Sequence, residues 1–263
     1  MNIIITGASK GIGLAITKTF ARQNKKHAIG ICSRKKDELD AAEKELRGIS
    51  SQHEYFSSVC DVSQEKDVNA FVADFEKKYG AVDVLVNNAG FGIFKSILEI
   101  SKQEFESVIA TNLRGVFLFT RAALPKMREA KTGTVITISS LAGKNGFAGG
   151  TAYCASKFAV RGLMQCLFLE VRTDNIRFVT ICPGSVDTEF FSRTDIPVRR
   201  PSDSNGGDTN SGTDTLVRAG GASLKSKKAL IAQDIADCVA LATILPQNAD
   251  ISEMDVRPTN PKG

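Results

Sequence analysis

Histidine occurs only twice in the 263 residues, as His27 and His53, and the six cysteines are scattered with no Cys-x-x-Cys spacing. Zinc sites draw on clustered His and Cys, so metal-centred chemistry is disfavoured and no metal ligand is assigned. Cys32, Cys60, Cys154, Cys166, Cys182 and Cys238 read as reduced thiols of a cytoplasmic protein. No apolar run reaches the roughly 20 residues that span a bilayer. Asn2 leads straight into an apolar strand, with no signal-peptide layout. The net charge of +5 is spread along the chain and no basic run is interleaved with aromatics, so no nucleic-acid partner is expected. What remains, 42% apolar and 24% charged residues, is ordinary for a globular protein and long enough for a sizeable core.

Short apolar strands alternate with helical patterns. Residues 2–6 (Asn-Ile-Ile-Ile-Thr) read as a fully buried first strand. A glycine turn, Gly7-Ala-Ser-Lys-Gly-Ile-Gly13, leads from it into a helix. Such a turn lets the backbone approach a pyrophosphate whose charge the helix N-terminus stabilises. The spacing is Gly-x3-Gly-x-Gly rather than the G-x-G-x-x-G fingerprint. A second strand, Ala28–Ser33, ends in Ser33-Arg34-Lys35-Lys36. A dinucleotide site selective for NAD would place an acid there for the ribose 2′-hydroxyl. Arg34 stands in that place, and Lys10 lies in the glycine turn, so a 2′-phosphate and hence NADP(H) is favoured over NAD(H).

Further strands are expected at His53–Val62, Val82–Val86, Thr134–Ser139, Arg177–Cys182 and Ile251–Val256. Helices are expected at Asp37–Arg47 (stopped by Gly48), around Val68–Phe75, from Ser101 to about Arg128, after Gly150, and at Ile231–Leu245. Ser101 and Glu104 form a capping box for the long helix. The pattern predicts one α/β domain, residues 1–263: a doubly wound parallel sheet of seven strands in the order 3-2-1-4-5-6-7 with helices on both faces. Ligands bind such folds beyond the carboxyl ends of the strands, where the order reverses. Thr6–Gly13, Asn87–Gly90, Ser139–Ser140 and Pro183–Gly184 all fall at such ends.

The loop Ser140–Gly150 leads to a helix carrying Tyr153 and Lys157, four residues apart and so on one face. A phenol with an ordinary pKa of about 10 is a poor acid-base catalyst at neutral pH. A nearby ammonium favours the phenolate: about 4 kcal/mol at an effective dielectric of about 20 moves the pKa roughly 3 units. The pair then exchanges a proton with an alcohol oxygen near neutral pH. Residues 199–222, rich in Ser, Gly, Asp, Asn and Thr, hold too few apolar groups to offset the entropy of ordering. They read as a flexible insertion, either a lid over substrate or an idle loop.

Thr6-Gly-Ala-Ser-Lys-Gly-Ile-Gly13, Asn87-Asn-Ala-Gly90, Asn112, Ser140, Tyr153-x-x-x-Lys157 and Pro183-Gly-Ser-Val-Asp-Thr188 together resemble the short-chain dehydrogenase/reductase family, a single-domain Rossmann fold. The resemblance implies Tyr153 as acid and base, Lys157 as its pKa-lowering partner and ribose ligand, Ser140 as holder of the substrate carbonyl (Ser139 being its neighbour), and Asn112 in a proton relay through Lys157. It implies cofactor contacts from Gly7, Ser9, Lys10, Gly11, Ile12 and Gly13 in the turn and from Ser33 and Arg34 at the second strand. Asp61 and Val62 would line the adenine, Asn87, Ala89 and Gly90 the ribose, and Pro183, Gly184, Val186 and Thr188 the nicotinamide. The function implied is hydride transfer between NADP(H) and a small-molecule carbonyl or secondary alcohol. The other reading is a regulator of the same fold that binds NADP(H) without turning it over.

The pattern is similar to both sepiapterin-type and 3-oxoacyl-thioester reductases of the family. Ile93, Phe94, Phe147, Phe190 and Phe191 are an apolar pocket wall or ordinary core. Arg199, Arg200, Lys225, Lys227 and Lys228 read as a solvated basic face, or as a lure for an anionic substrate. The family's interface helices imply a homodimer or homotetramer, with Phe117, Phe119, Phe158, Leu163, Leu167 and Phe168 as apolar area for it.

Overall fold

A computed structural model describes residues 1–190, 229–246 and 249–259. The insertion at 199–222, Phe191 and the five basic residues around the insertion lie outside the described residues. The first strand shows how the layers arise. In β1 (Asn2–Thr6), successive side chains point to opposite faces, so Ile3 and Ile5 enter one apolar layer and Ile4 the other, all fully buried. The strands β2 (Ala28–Ser33), β3 (Glu54–Val59), β4 (Val84–Asn87), β5 (Gly133–Ile138) and β6 (Ile176–Pro183) extend the sheet. The final described strand, β9 (Glu253–Val256), closes it. All pairings are parallel and the order is β3-β2-β1-β4-β5-β6-β9, the doubly wound order expected.

Helices α1 (Gly11–Ala21), α2 (Lys36–Ile49) and α7 (Ala232–Ile244) cover one face, and α3 (Glu65–Tyr79), α5 (Gly115–Ala130) and α6 (Thr151–Val171) the other. A short pair, β7 (Val186–Asp187) with β8 (Leu230–Ile231), was not expected; two residues carry no readable periodicity. Gly48 lies inside α2, which runs on to Ile49. β3 stops at Val59, leaving Asp61 and Val62 in the following turn.

The helix expected from Ser101 to about Arg128 runs from Lys102 to Ala130, with an unexpected π turn inside it. Ser101 and Glu104 do form the capping box of α4 (Lys102–Ile109), but a π-helical turn at Ala110–Arg114 separates it from α5. No helix among the described residues is long and apolar enough to cross a membrane. Phe119 is fully buried core, whereas Phe117 and Phe158 are exposed. Leu163, Leu167 and Phe168 are partly buried against the α3–α5–α6 layer.

Candidate active site

The glycine turn at the end of β1 is braced from two sides. Gly7 N and Ala8 N donate to Cys32 O on β2, at 3.0 and 3.3 Å. Just past β4, Asn88 N and Ala89 N donate to Thr6 Oγ1, both at 3.0 Å. Asn88 Nδ2 donates to Thr6 O (2.9 Å) and Gly7 O (3.1 Å). A Cβ on Gly13 would lie 2.3 Å from Gly7 O and 2.5 Å from Asn88 Nδ2, so only glycine permits the helix to start against this turn. Asn88 was not singled out from sequence; Asn87 was. Alternation along a strand puts neighbours on opposite faces, and that signal was available. Asn87 is buried and donates to Thr120 Oγ1 on α5, at 3.1 Å, so it pins the sheet rather than the turn.

Helix α1 begins at Gly11 with Lys10 in the capping position. It has no side-chain cap and no acid in its first turn, in contrast to the boxed start of α4. Its leading N–H groups therefore remain available to an anion, which suits a pyrophosphate beside Ser9, Gly11, Ile12 and Gly13.

Of the two cations expected near a 2′-phosphate, Lys10 pairs with a carboxylate, Glu38, and Arg34 does not. Glu38, in the first turn of α2, accepts from Ser9 Oγ at 3.3 Å and pairs with Lys35 at 3.1 Å and Lys10 at 3.5 Å. The Lys35 bond is the main cause that holds its pKa below the usual carboxylate range. Lys10 also meets Glu189 at 3.7 Å. Ser33 Oγ is turned to Lys35 O at 3.1 Å, and Arg34 is exposed. Asp61 Oδ1 accepts from Ser63 N and Oγ (2.9 and 2.8 Å), which shapes its own turn, with Val62 buried beside it.

Tyr153 and Lys157 share the buried face of α6. The Tyr153 ring is enclosed by Phe94 and Phe190 at centroid distances of 5.4 and 5.6 Å, with Phe147 tilted against Phe94 at 5.7 Å. Burial pushes the phenol up to about 12, against the opposing pull of a hydrogen bond with Ser140. Lys157 is itself pulled down to about 8 by burial. Its Nζ donates to Ile138 O at 2.8 Å and lies 5.8 Å from the Tyr153 ring centre. The Tyr153–Lys157 spacing predicts a phenol below 10; in the chain alone it is raised, because desolvation of the buried phenol outweighs the lowering by Ser140.

Ser139 and Ser140 are now distinguishable. Ser139 is buried and donates to Lys157 O at 3.3 Å. Ser140 is half-buried and caps the 3-10 turn Leu141–Gly143, its Oγ accepting from Ala142 N at 3.1 Å and lying 3.5 Å from Pro183 O. Asn112 sits in the π turn. Its Oδ1 accepts from Phe91 N (3.0 Å), and its Nδ2 donates to Phe91 O (2.9 Å) and Ser156 Oγ (3.0 Å). The side chain thus braces the loop after β4 against α6, with Gly90 facing both Asn112 and Lys157. Gly184 N donates to Val256 O at 2.8 Å, Val186 is buried in β7, and Thr188 Oγ1 accepts from Phe190 N at 3.4 Å.

Residues 1–196 match the sequence model of the short chain dehydrogenases. The chain belongs to the short-chain dehydrogenase family. This short-chain dehydrogenase is 33% identical over 198 residues to a sepiapterin reductase of Chlorobaculum tepidum, covering 73% of this chain and 80% of that one. It is 36% identical over 191 residues to a 3-oxoacyl-acyl-carrier-protein reductase of Thermotoga maritima, covering 72% and 76%. Among solved structures it is similar to an alcohol dehydrogenase of Thermococcus sibiricus complexed with 5-hydroxy-NADP, with a TM-score of 0.80, 29% identity and coverage of 98% and 96%.

Proposed function

We propose that this short-chain dehydrogenase is an NADP(H)-dependent carbonyl reductase or alcohol dehydrogenase, with residues 1–263 forming one cofactor-binding domain. The carrying observation is that the uncapped start of α1, after β1, and Ser140, after β5, both lie at the carboxyl ends of the parallel strands, where Lys157 donates to Ile138 O and shares the buried face of α6 with Tyr153. Lys10, Ser33 and Arg34 support a cofactor with a 2′-phosphate, as does the NADP derivative in the Thermococcus sibiricus enzyme.

NADP(H), when bound, supplies or takes up the hydride. Tyr153 Oη gives a proton to the carbonyl oxygen in reduction and removes it in oxidation. Ser140 Oγ donates a hydrogen bond to the same oxygen and so stabilises the charge that builds there. Lys157 would hold the cofactor's ribose, and its ammonium would then pull the Tyr153 pKa down. Its own ammonium is favoured once polar groups surround it, so this pull is strongest in the loaded site. Asn112 keeps the Phe91 loop seated against α6. A homodimer or homotetramer, through α4–α5 and α6 where Phe117 and Phe158 are exposed, completes the reading.

The test is a fluorescence titration with NADPH and NADH, run beside a turnover panel of ketones, pteridine diketones and acetoacetyl thioesters. Tighter NADPH binding with turnover of one class is the expected result. Tight binding without turnover anywhere would instead favour the non-catalytic regulator, and tighter NADH binding would overturn the roles given to Lys10 and Arg34.

A further inference from the structure

The turn that carries Ser140 is tied to the last strand by a compact ion network. Lys144, immediately after the turn, pairs with Glu253 at 2.5 Å and with Asp255, both on β9. Arg161, one helical turn beyond Lys157 on α6, pairs with Glu253 through Nε at 2.6 Å and Nη2 at 3.2 Å. Its remaining nitrogen, Nη1, donates to Gly143 O at 2.8 Å. One guanidinium thus holds both the last residue of the Ser140 turn and the strand. These side chains are only 21–32% exposed, so the pairs are shielded from solvent more than ordinary surface ones. Glu253, Asp255 and Cys182 lie close enough together to suggest a metal site, but Lys144 and Arg161 already occupy the carboxylates.

The network bears on the distance between Ser140 and its partners. Gly143 packs so closely on α6 that a Cβ there would lie 2.7 Å from Lys157 O, the carbonyl that Ser139 Oγ also meets. Gly143 N donates to Ser140 O at 2.9 Å, so the position of Gly143 is the position of Ser140 to within one short turn. β9 pairs with β6 from Thr180 to Pro183, the strand whose end lies under Ser140.

Resting on the function proposed above, we propose that Arg161 and Glu253 are positioning residues: through Gly143 they hold the Ser140 turn against α6, and so set the Ser140 hydroxyl on the Tyr153 phenol. A displacement near 1 Å at reacting groups costs up to about a hundredfold in rate. Arg161→Met in the full chain is expected to slow single-turnover hydride transfer by at least about tenfold. NADPH affinity should stay within about twofold, since the α1 turn is untouched. Arg161→Lys, which keeps a charge but cannot reach Glu253 and Gly143 together, should recover only part of the rate. Glu253→Gln is the milder second variant should Arg161→Met not fold.

A readout independent of turnover comes from the three tyrosines, Tyr55, Tyr79 and Tyr153, labelled as 3-fluorotyrosine and followed by fluorine NMR. Tyr153→Phe assigns the site resonance. In Arg161→Met or Glu253→Gln that resonance should move, while those of Tyr55 and Tyr79 stay. If wild type turns over none of the panel, the proposed function fails, yet the fluorine shift still decides the positioning. An unmoved Tyr153 resonance in both variants overturns it, as does a wild-type rate where turnover is measurable.

Discussion

Lys157 Nζ donates to the Ile138 carbonyl at 2.8 Å while lying 5.8 Å from the centre of the Tyr153 ring. The ammonium is therefore engaged with the end of β5, and the phenol above it is governed by its apolar enclosure. A phenol near 12 is almost wholly protonated at neutral pH, so it can give its proton to an alkoxide but offers almost no phenolate to act as the base in oxidation. The free chain is thus held short of the state that the proposed chemistry requires, and cofactor contacts to Lys157 are what would complete it.

Tyr153→Phe removes only a hydroxyl from a ring packed between Phe94 and Phe190. NADPH affinity should be unchanged, and kcat should fall by about 10²–10⁴, the usual worth of a positioned acid. Titration and steady-state turnover of the same sample check it. Activity near wild type would remove Tyr153 from its role.

Lys157→Met should stabilise the cofactor-free protein. Burial lowers the folded-state pKa from 10.5 to about 8. Between those values the unfolded chain binds more protons, so stability rises with pH across that window. Below pH 8 the full cost of the buried charge is present, on the order of 3 kcal/mol. The gain in Tm from the methionine should be several degrees at pH 7 and should fade toward pH 10.5. Thermal melts across that range test it. A gain that grows with pH would contradict the sign.

Asn88→Ala breaks both side-chain bonds to Thr6 O and Gly7 O beneath the turn. Two unsatisfied carbonyls cost about 1–3 kcal/mol each if water does not reach them. Urea unfolding should show a loss of that order, and the NADPH Kd should rise by about tenfold or more as the α1 start loosens. Asn87→Ala, which faces Thr120 on α5, should lower stability with a smaller effect on Kd.

Glu38→Gln removes a negative charge from among Ser9, Lys10 and Lys35. The carboxylate neutralises cations that a 2′-phosphate would use, so NADPH should bind more tightly in the variant, by about threefold to tenfold, while NADH changes little. Parallel titrations at low and moderate salt measure the difference, which screening should shrink. Equal gains for both cofactors would place the phosphate elsewhere.

The sheet was legible because its signals are local. Ile3, Ile4 and Ile5 form an apolar run that only a strand buried on both faces requires, and glycine turns and helix periods follow in alternation. The capping box at Ser101 and Glu104 was likewise readable from spacing alone. The π turn at Ala110–Arg114 was not, because the residues on either side continue an ordinary helical period and the partner Asn112 meets there, Phe91, is 21 residues away.

The sequence by itself determined the strand order, which rests on residue type and alternation, and it made Ser140 or its neighbour Ser139, with Tyr153 and Lys157, candidates through the resemblance their motifs carry. Tertiary structure alone decided which serine faces the phenol, where the Lys157 ammonium goes, and that Glu38, Glu253 and Arg161 join the site's surroundings. Those outcomes depend on desolvation and on partners far apart in the chain, Arg161 with Glu253 among them, and neither quantity is written in any local pattern.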